Sequence, residues 1–360
     1  MELFPPSFVF WFSVCVLVIF CTTGSGAIEL PGNVTVTAVF VFGDSIVDTG
    51  NNNNKTTLAK CNFPPYGRDF KGGVPTGRFS NGKVPADILV EELGIKELLP
   101  AYLDPNLQPE DLLTGVNFAS GGAGYDPLTS QIEIAISLAD QLKLFKEYTQ
   151  KLKNLVGEEE TNTIFTNSLF AVVVGSNDIA NAYYNSHIRQ LQFSIFAYTD
   201  FLATSASNFL QELYSLGARR IAAFGAPPLG CLPSTRTVAG NGKRDECIKE
   251  YNQGSELFNT KFSAAIASLG RNLPDAKVVY IDIYNPLLTL IENPSTYGFE
   301  FVDKGCCGSG TIEAAFTCNS LTPPCPDASI YIFWDSFHPS ETTYKILVSQ
   351  IVQKYANSFL

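Results

Sequence analysis

The chain contains two histidines in 360 residues, and one of them, His338, lies three residues after an aspartate in Trp334-Asp335-Ser336-Phe337-His338-Pro339. Near the other end, an apolar, Val- and Phe-rich run closes in Phe42-Gly43-Asp44-Ser45, which places a serine at a strand-to-turn junction. A serine hydroxyl attacks well only when a base removes its proton, and an imidazole steadied by a carboxylate is such a base. Asp335 is spaced to fold back within one turn onto one imidazole nitrogen, leaving the other for Ser45. His187 has no such acid partner; after Tyr183-Tyr184-Asn185-Ser186 it reads as solvated or packed on tyrosine. A chain built this way must bring its two ends into one pocket.

The pattern between those ends predicts how. Apolar runs at 34–42, 116–119, 169–174, 220–224, 278–283 and 330–334 read as strands, and most end at Gly, Ser, Asn or Asp. Helical spacing of three and four predicts a helix through Leu138, Leu142, Phe145, Tyr148, Leu152 and Leu155, stopped near Gly157. Further helices are expected at 88–93, at 209–216 capped by Gly217, at 257–266, and from Pro339 onward. The Gly-, Asn- and Pro-rich segment 50–82 reads as loop. Strands alternating with helices imply an α/β fold with a mainly parallel sheet covered on both faces. In such folds chemistry collects at the carboxyl ends of strands. Ser45, Gly121, Asn177, Asp335 and His338 all follow predicted strands.

Composition excludes several classes. Hydrophobic residues at 45% and charged residues at 16% suit a globular core, and a net charge of −11 with a pI near 4.7 disfavours nucleic acid and anionic membranes as partners. Residues 8–21 form an apolar run too short to span a bilayer comfortably, followed by small residues up to Ala27. This predicts a signal peptide over 1–27 and a single domain over 28–360, with an uncleaved anchor as the alternative; the leader lacks the usual Lys or Arg. Nine cysteines less Cys15 and Cys21 in the leader leave seven, so at most three bridges form and one thiol is left over. Disulfides are favoured over zinc, since no C-x-x-C pair or suitable histidine set exists, and adjacent Cys306 and Cys307 are expected to enter two different bridges. Asn33 and Asn54 open N-x-T glycosylation acceptors.

The oxyanion that forms when serine attacks a carbonyl needs preset donors. The Ser45 amide, a glycine amide such as that of Gly121, and the Asn177 side chain are candidates. No G-x-S-x-G elbow is present, which disfavours an α/β-hydrolase of that type. The segments Phe42-Gly43-Asp44-Ser45-Ile46-Val47-Asp48-Thr49-Gly50-Asn51, Gly115 to Gly124, Gly175-Ser176-Asn177-Asp178-Ile179 and Phe333 to Pro339 resemble, in order, the conserved blocks of the plant GDSL-type esterase/lipases of the SGNH hydrolase superfamily. Lys304-Gly305-Cys306-Cys307-Gly308 and Gly230-Cys231-Leu232-Pro233 are similar to features of the plant branch, and the pattern suggests its extracellular-lipase-like subgroup. One departure is Ile46, where the name-giving motif has leucine.

The resemblance implies a three-layer α/β/α, flavodoxin-like fold with no metal or organic cofactor. It implies Ser45 as nucleophile, His338 as base and Asp335 as its orienter, with Ser45, Gly121 and Asn177 forming the oxyanion hole. The expected activity is that of a secreted, extracellular carboxylic-ester hydrolase acting on acyl lipids or acylated small molecules. Acyl transfer by the same triad, or a non-catalytic binding role, are the alternatives. Asp44 is expected to shape the turn.

Overall fold

The computed structural model describes residues 36–241 and 243–359. The expected leader over 1–27 and the acceptor Asn33 lie outside the described residues. Strand β1, Val39–Gly43, reads Val-Phe-Val-Phe-Gly with every residue buried, as a parallel strand covered on both faces must be. It pairs in parallel with β2 (Leu169–Val173), which pairs with β3 (Arg220–Phe224) and then β4 (Lys277–Ile281).

The two-residue period of the strands divides the interior into two cores. Phe40, Phe42, Phe170, Val172, Ile221 and Ala223 face one side, where they meet the helices α3 (Leu138–Val156), α5 (Ile195–Ser215) and α7 (Lys249–Asn272). Val39, Val41, Leu169, Ala171 and Ala222 face the other, against α1 (Pro85–Glu92) and α9 (Glu341–Tyr355). Helices on both faces of a parallel sheet make this the expected α/β/α arrangement.

The predicted strand 116–119 contracts to bridges. Asn117 pairs in parallel with Val41 on one side and Ala101 on the other. Its side chain is turned to local work, donating to the Val47 carbonyl and accepting from the Ala119 amide. Counted in chain order with this segment as second, the sheet runs 2-1-3-4-5, the flavodoxin-like order. The order reverses between β1 and β2, which opens a crevice at their carboxyl ends.

Two further expectations change. The run 330–334 forms a strand, β6 (Tyr331–Phe333), but it leaves the main sheet and pairs with an unforeseen β5 (Phe301–Gly305). The last helix begins at Glu341 rather than Pro339, because Ser340 caps it by accepting the Thr343 amide while Pro339 forms an antiparallel bridge with Phe333. Short helices α2 (Pro127–Glu133), α4 (Glu158–Thr166) and α6 (Pro233–Ala239) carry too few apolar positions to announce themselves, whereas α8 (Tyr284–Glu292) does bury Leu287, Leu290 and Ile291 and is unforeseen. The cysteine reading holds: Cys231–Cys247, Cys306–Cys325 and Cys307–Cys318 are bridged, and Cys61 is buried and free.

Segment 50–82 is mostly turns, and one buried ion pair ties it to the frame. Arg78 donates from Nε and Nη2 to the two oxygens of Asp87, each at 2.7 Å, and from Nη1 to the Thr49 carbonyl. Asp87 also accepts the Val84 and Leu99 amides, so it caps α1 while it holds Arg78. Removing one member of a buried pair strands the other charge. Asp87→Ala is expected to cost about 3–5 kcal/mol in urea unfolding. Lys143→Ala, which breaks an exposed pair with Asp140, is expected to cost under ~0.5 kcal/mol. Equal small losses for both would contradict the structural role of the Arg78–Asp87 pair.

Candidate active site

At the end of β1 the chain turns sharply. A Cβ on Gly43 would lie 1.9 Å from the Val173 carbonyl oxygen, so only glycine fits where β1 crosses β2. The Gln141 side chain clamps this glycine, accepting its amide proton and donating to its carbonyl. Ser45 follows within the turn. Its Oγ lies 2.8 Å from His338 Nε2, and both residues are nearly buried. On the other side of the ring, Nδ1 lies 2.8 Å from Asp335 Oδ2 and 3.0 Å from Oδ1. Phe79 packs against the imidazole with ring centroids 4.9 Å apart.

His338 arrives from the small sheet, not the main one. Asp335 Oδ1 accepts the amides of Phe337 and His338, and Trp334 N–H donates to the His338 carbonyl, which folds residues 334–338 into a tight loop. Gly305 lets this loop pass close, since a Cβ there would meet the Asp335 carbonyl at 2.4 Å. His187 is exposed and contacts Gln190, the solvated one of its two expected roles.

Ser45, Gly122, Asn177, Glu133, Phe337 and His338 line a cavity of about 300 Å³. Asn177 sits after β2 and donates from Nδ2 to the Ala123 carbonyl. Gly121 departs from expectation: its amide is committed to Asp48 Oδ2 at 2.8 Å, and a Cβ on it would strike the Phe79 ring at 2.6 Å. The next residue, Gly122, faces the cavity instead. Among the described residues neither the Ser45 nor the Gly122 amide has a hydrogen-bond partner. Nothing in the Gly121-Gly122 pair itself told the two apart. Asp44 shapes the turn as expected, its Oδ1 accepting the Ile46 amide. Among the described residues no group of three or more His, Cys, Asp or Glu side chains is placed to hold a metal ion.

Residues 39–351 match the family described as GDSL-like Lipase/Acylhydrolase. The chain belongs to that family. It is 53% identical to the GDSL esterase/lipase EXL3 of Arabidopsis thaliana over 96% of this chain and 95% of that one. It is 50% identical to EXL2 of the same plant, again over 96% and 95%. A solved catalytic mutant of Axe2, an acetylxylan esterase from Geobacillus stearothermophilus, is 12% identical, with a TM-score of 0.40 over 89% of this chain and 94% of that one. The match to the plant GDSL esterases/lipases makes this chain a carboxylic-ester hydrolase.

One residue in this GDSL site gave no sequence signal. Tyr66, fully buried in the long loop, donates its hydroxyl to Asp335 Oδ2 at 2.6 Å, from 269 residues away. Burial, then the charge of Asp335, push its own ionisation well above the usual phenol value, so it remains a donor. It therefore shares the oxygen that faces His338. Tyr66→Phe removes one of the donors that fix the Asp335 carboxylate beside His338. The expected result is a roughly tenfold loss in kcat with KM little changed. Reduced stability with kcat unchanged would leave Tyr66 a packing residue.

Three other buried acids surround the site. Burial raises Asp44 to about 7, only partly opposed by the Ile46 amide, and its Oδ2 has no partner among the described residues. Burial likewise raises Asp178 to about 7 and Asp48 to about 6 against several N–H bonds. An unfolded aspartate titrates near ~4. Between there and about 7 the native chain keeps protons that the unfolded chain releases, so these groups make stability fall as pH rises across that window. Urea midpoints are expected to be higher at pH 5 than at pH 7.5, and Asp44→Asn should narrow the gap. A gap of the same size in the variant would remove Asp44 as a cause.

Proposed function

We propose that Ser45 is the nucleophile of an acyl-enzyme mechanism. Its Oγ attacks the ester carbonyl while His338 Nε2 takes the proton, and Asp335 steadies the imidazolium from Nδ1. The oxyanion is received by the Ser45 amide, the Gly122 amide and the Asn177 Nδ2 group. His338 then returns the proton to the leaving alcohol. Water, deprotonated by the same imidazole, releases the acid and frees Ser45. The observation that carries this reading is the continuous line from Ser45 Oγ to His338 to Asp335, each step at 2.8 Å.

The substrates on this reading are carboxylic esters of acyl lipids or acylated small molecules. We further propose that residues 1–27 are a leader, that 28–360 form one hydrolase domain, and that the protein acts outside the cell, in keeping with an extracellular-lipase-like placement. Three disulfides and an exposed Asn54 in an N-x-T sequence favour an oxidising, exported setting. No described helix is long and apolar enough to cross a membrane.

The test uses the full chain, secreted from a eukaryotic host and purified. Wild type should cleave p-nitrophenyl acetate and take a fluorophosphonate label on Ser45. Ser45→Ala should do neither while folding normally. Asn177→Ala should keep the label site but lose on the order of 10²–10³ in kcat. Undiminished hydrolysis by Ser45→Ala would end this reading.

A further inference from the structure

The cavity around Ser45 is lined by two kinds of surface carried on separate elements. The first is polar. After β2 the chain enters a π-helical turn, Asp178–Asn185, of a kind often found at functional sites. It presents an asparagine ladder: Asn181 donates to Asn177 Oδ1 at 3.2 Å, and Asn185 donates to Asn181 Oδ1 at 3.1 Å. Glu133, at the end of α2, joins this ladder by accepting from Asn181 at 3.3 Å. It has no cation partner among the described residues, and burial raises it above the ordinary glutamate value.

The second surface is apolar. Ile312 and Phe316 line the same cavity, yet each is 62% exposed, and Leu58 beside them is 55% exposed. Large apolar side chains clustered at a cavity mouth signal a ligand more than isolated ones do. Ile312 and Phe316 sit on a segment closed by Cys306–Cys325 and Cys307–Cys318, and Glu313 between them gathers the amides of Ser309 and Thr311. That surface is therefore held out toward the cavity and cannot easily fold away.

We infer that the substrate is amphipathic: a medium or long acyl chain lying on Leu58, Ile312 and Phe316, esterified to a neutral polyhydroxylated alcohol, such as a sugar or polyol, that is held by Glu133 and the asparagine ladder. This rests on the acyl-enzyme reading above and adds the class of both halves of the ester. The carboxyl of Glu133 accepts hydroxyl donors, and the asparagine amides supply donors and acceptors. An anionic head group is disfavoured because, among the described residues, no Lys or Arg lines the cavity. A cationic head would want an aromatic cage or several acids, and among the described residues Glu133 is the only acid lining it.

The test compares kcat/KM on glucose monolaurate, methyl laurate, 1-lauroylglycerol 3-phosphate and lauroylcholine, with p-nitrophenyl acetate as a reference. Glucose monolaurate should exceed methyl laurate by about tenfold or more, the worth of one or two hydrogen bonds to a charged group. Glu133→Ala should shrink that ratio about tenfold, chiefly through KM. Paired Ile312→Ser and Phe316→Ser should shrink the ratio of laurate to acetate esters by at least tenfold. A merely structural role would lower all substrates together and leave the ratios intact, which would overturn the inference. So would a preference for methyl laurate, the phosphate or the choline ester. If p-nitrophenyl acetate is cleaved while the ratios stay flat, the substrate class fails and Ser45 catalysis stands. If no ester is cleaved and Ser45 takes no label, both fail.

Discussion

The site depends on one buried carboxylate. Asp335 receives the amides of Phe337 and His338, the imidazole Nδ1 and the Tyr66 hydroxyl, and it is fully excluded from water. A charge buried this deeply is tolerable only when its lone pairs are filled by well-placed donors. Those donors come from the C-terminal loop and from the long loop after β1. The interaction that keeps the carboxylate content is therefore the same one that brings distant chain segments to Ser45. The histidine orientation is a by-product of satisfying Asp335.

Around that point the fold divides its labour. The main parallel sheet positions Ser45, Gly122 and Asn177, because its order reverses between β1 and β2 and opens a crevice there. Ser45, Gly122 and Asn177 lie at the carboxyl ends of three neighbouring chain segments. His338 and Asp335 come from outside this sheet, on a loop after β6. Their alignment is set by the loop amides and by the Tyr66 hydroxyl, all donating to Asp335. The Arg78–Asp87 pair then anchors the segment that carries Tyr66 and Phe79 to the first turn of α1.

Much of this was legible in the residues. Ser45, Asp335 and His338 could be named because each belongs to a motif of a few residues whose chemistry is local. β3 could be bounded because Arg220 to Phe224 is a short apolar run between a helix-ending glycine and a proline turn. Cysteine parity was enough to leave one thiol over, and Cys61 is that thiol. What could not be read is what depends on distance. Tyr66 meets Asp335 across most of the chain, and no spacing rule encodes a contact of that separation. β5 is only a strand because β6 abandons the main sheet to join it. Gly121 and Gly122 are identical in type, and only the position of Asp48 and Phe79 decides which amide is free.

The same coupling links recognition to catalysis. The Cys306 and Cys307 amides donate to the carbonyls of Phe333 and Trp334, the last residues before Asp335. These two cysteines also begin the bridged segment that carries Ile312 and Phe316. The bridged segment that carries the apolar rim is thus hydrogen-bonded at its start to the strand that leads into Asp335 and His338. A chain that gripped its acyl group on a mobile flap would lose ordering entropy at each binding event. Here the disulfides have already restricted that freedom in the folded and unfolded chain alike. Binding energy at the rim can then act on a site where Ser45, His338 and Asp335 are in register before any ester arrives.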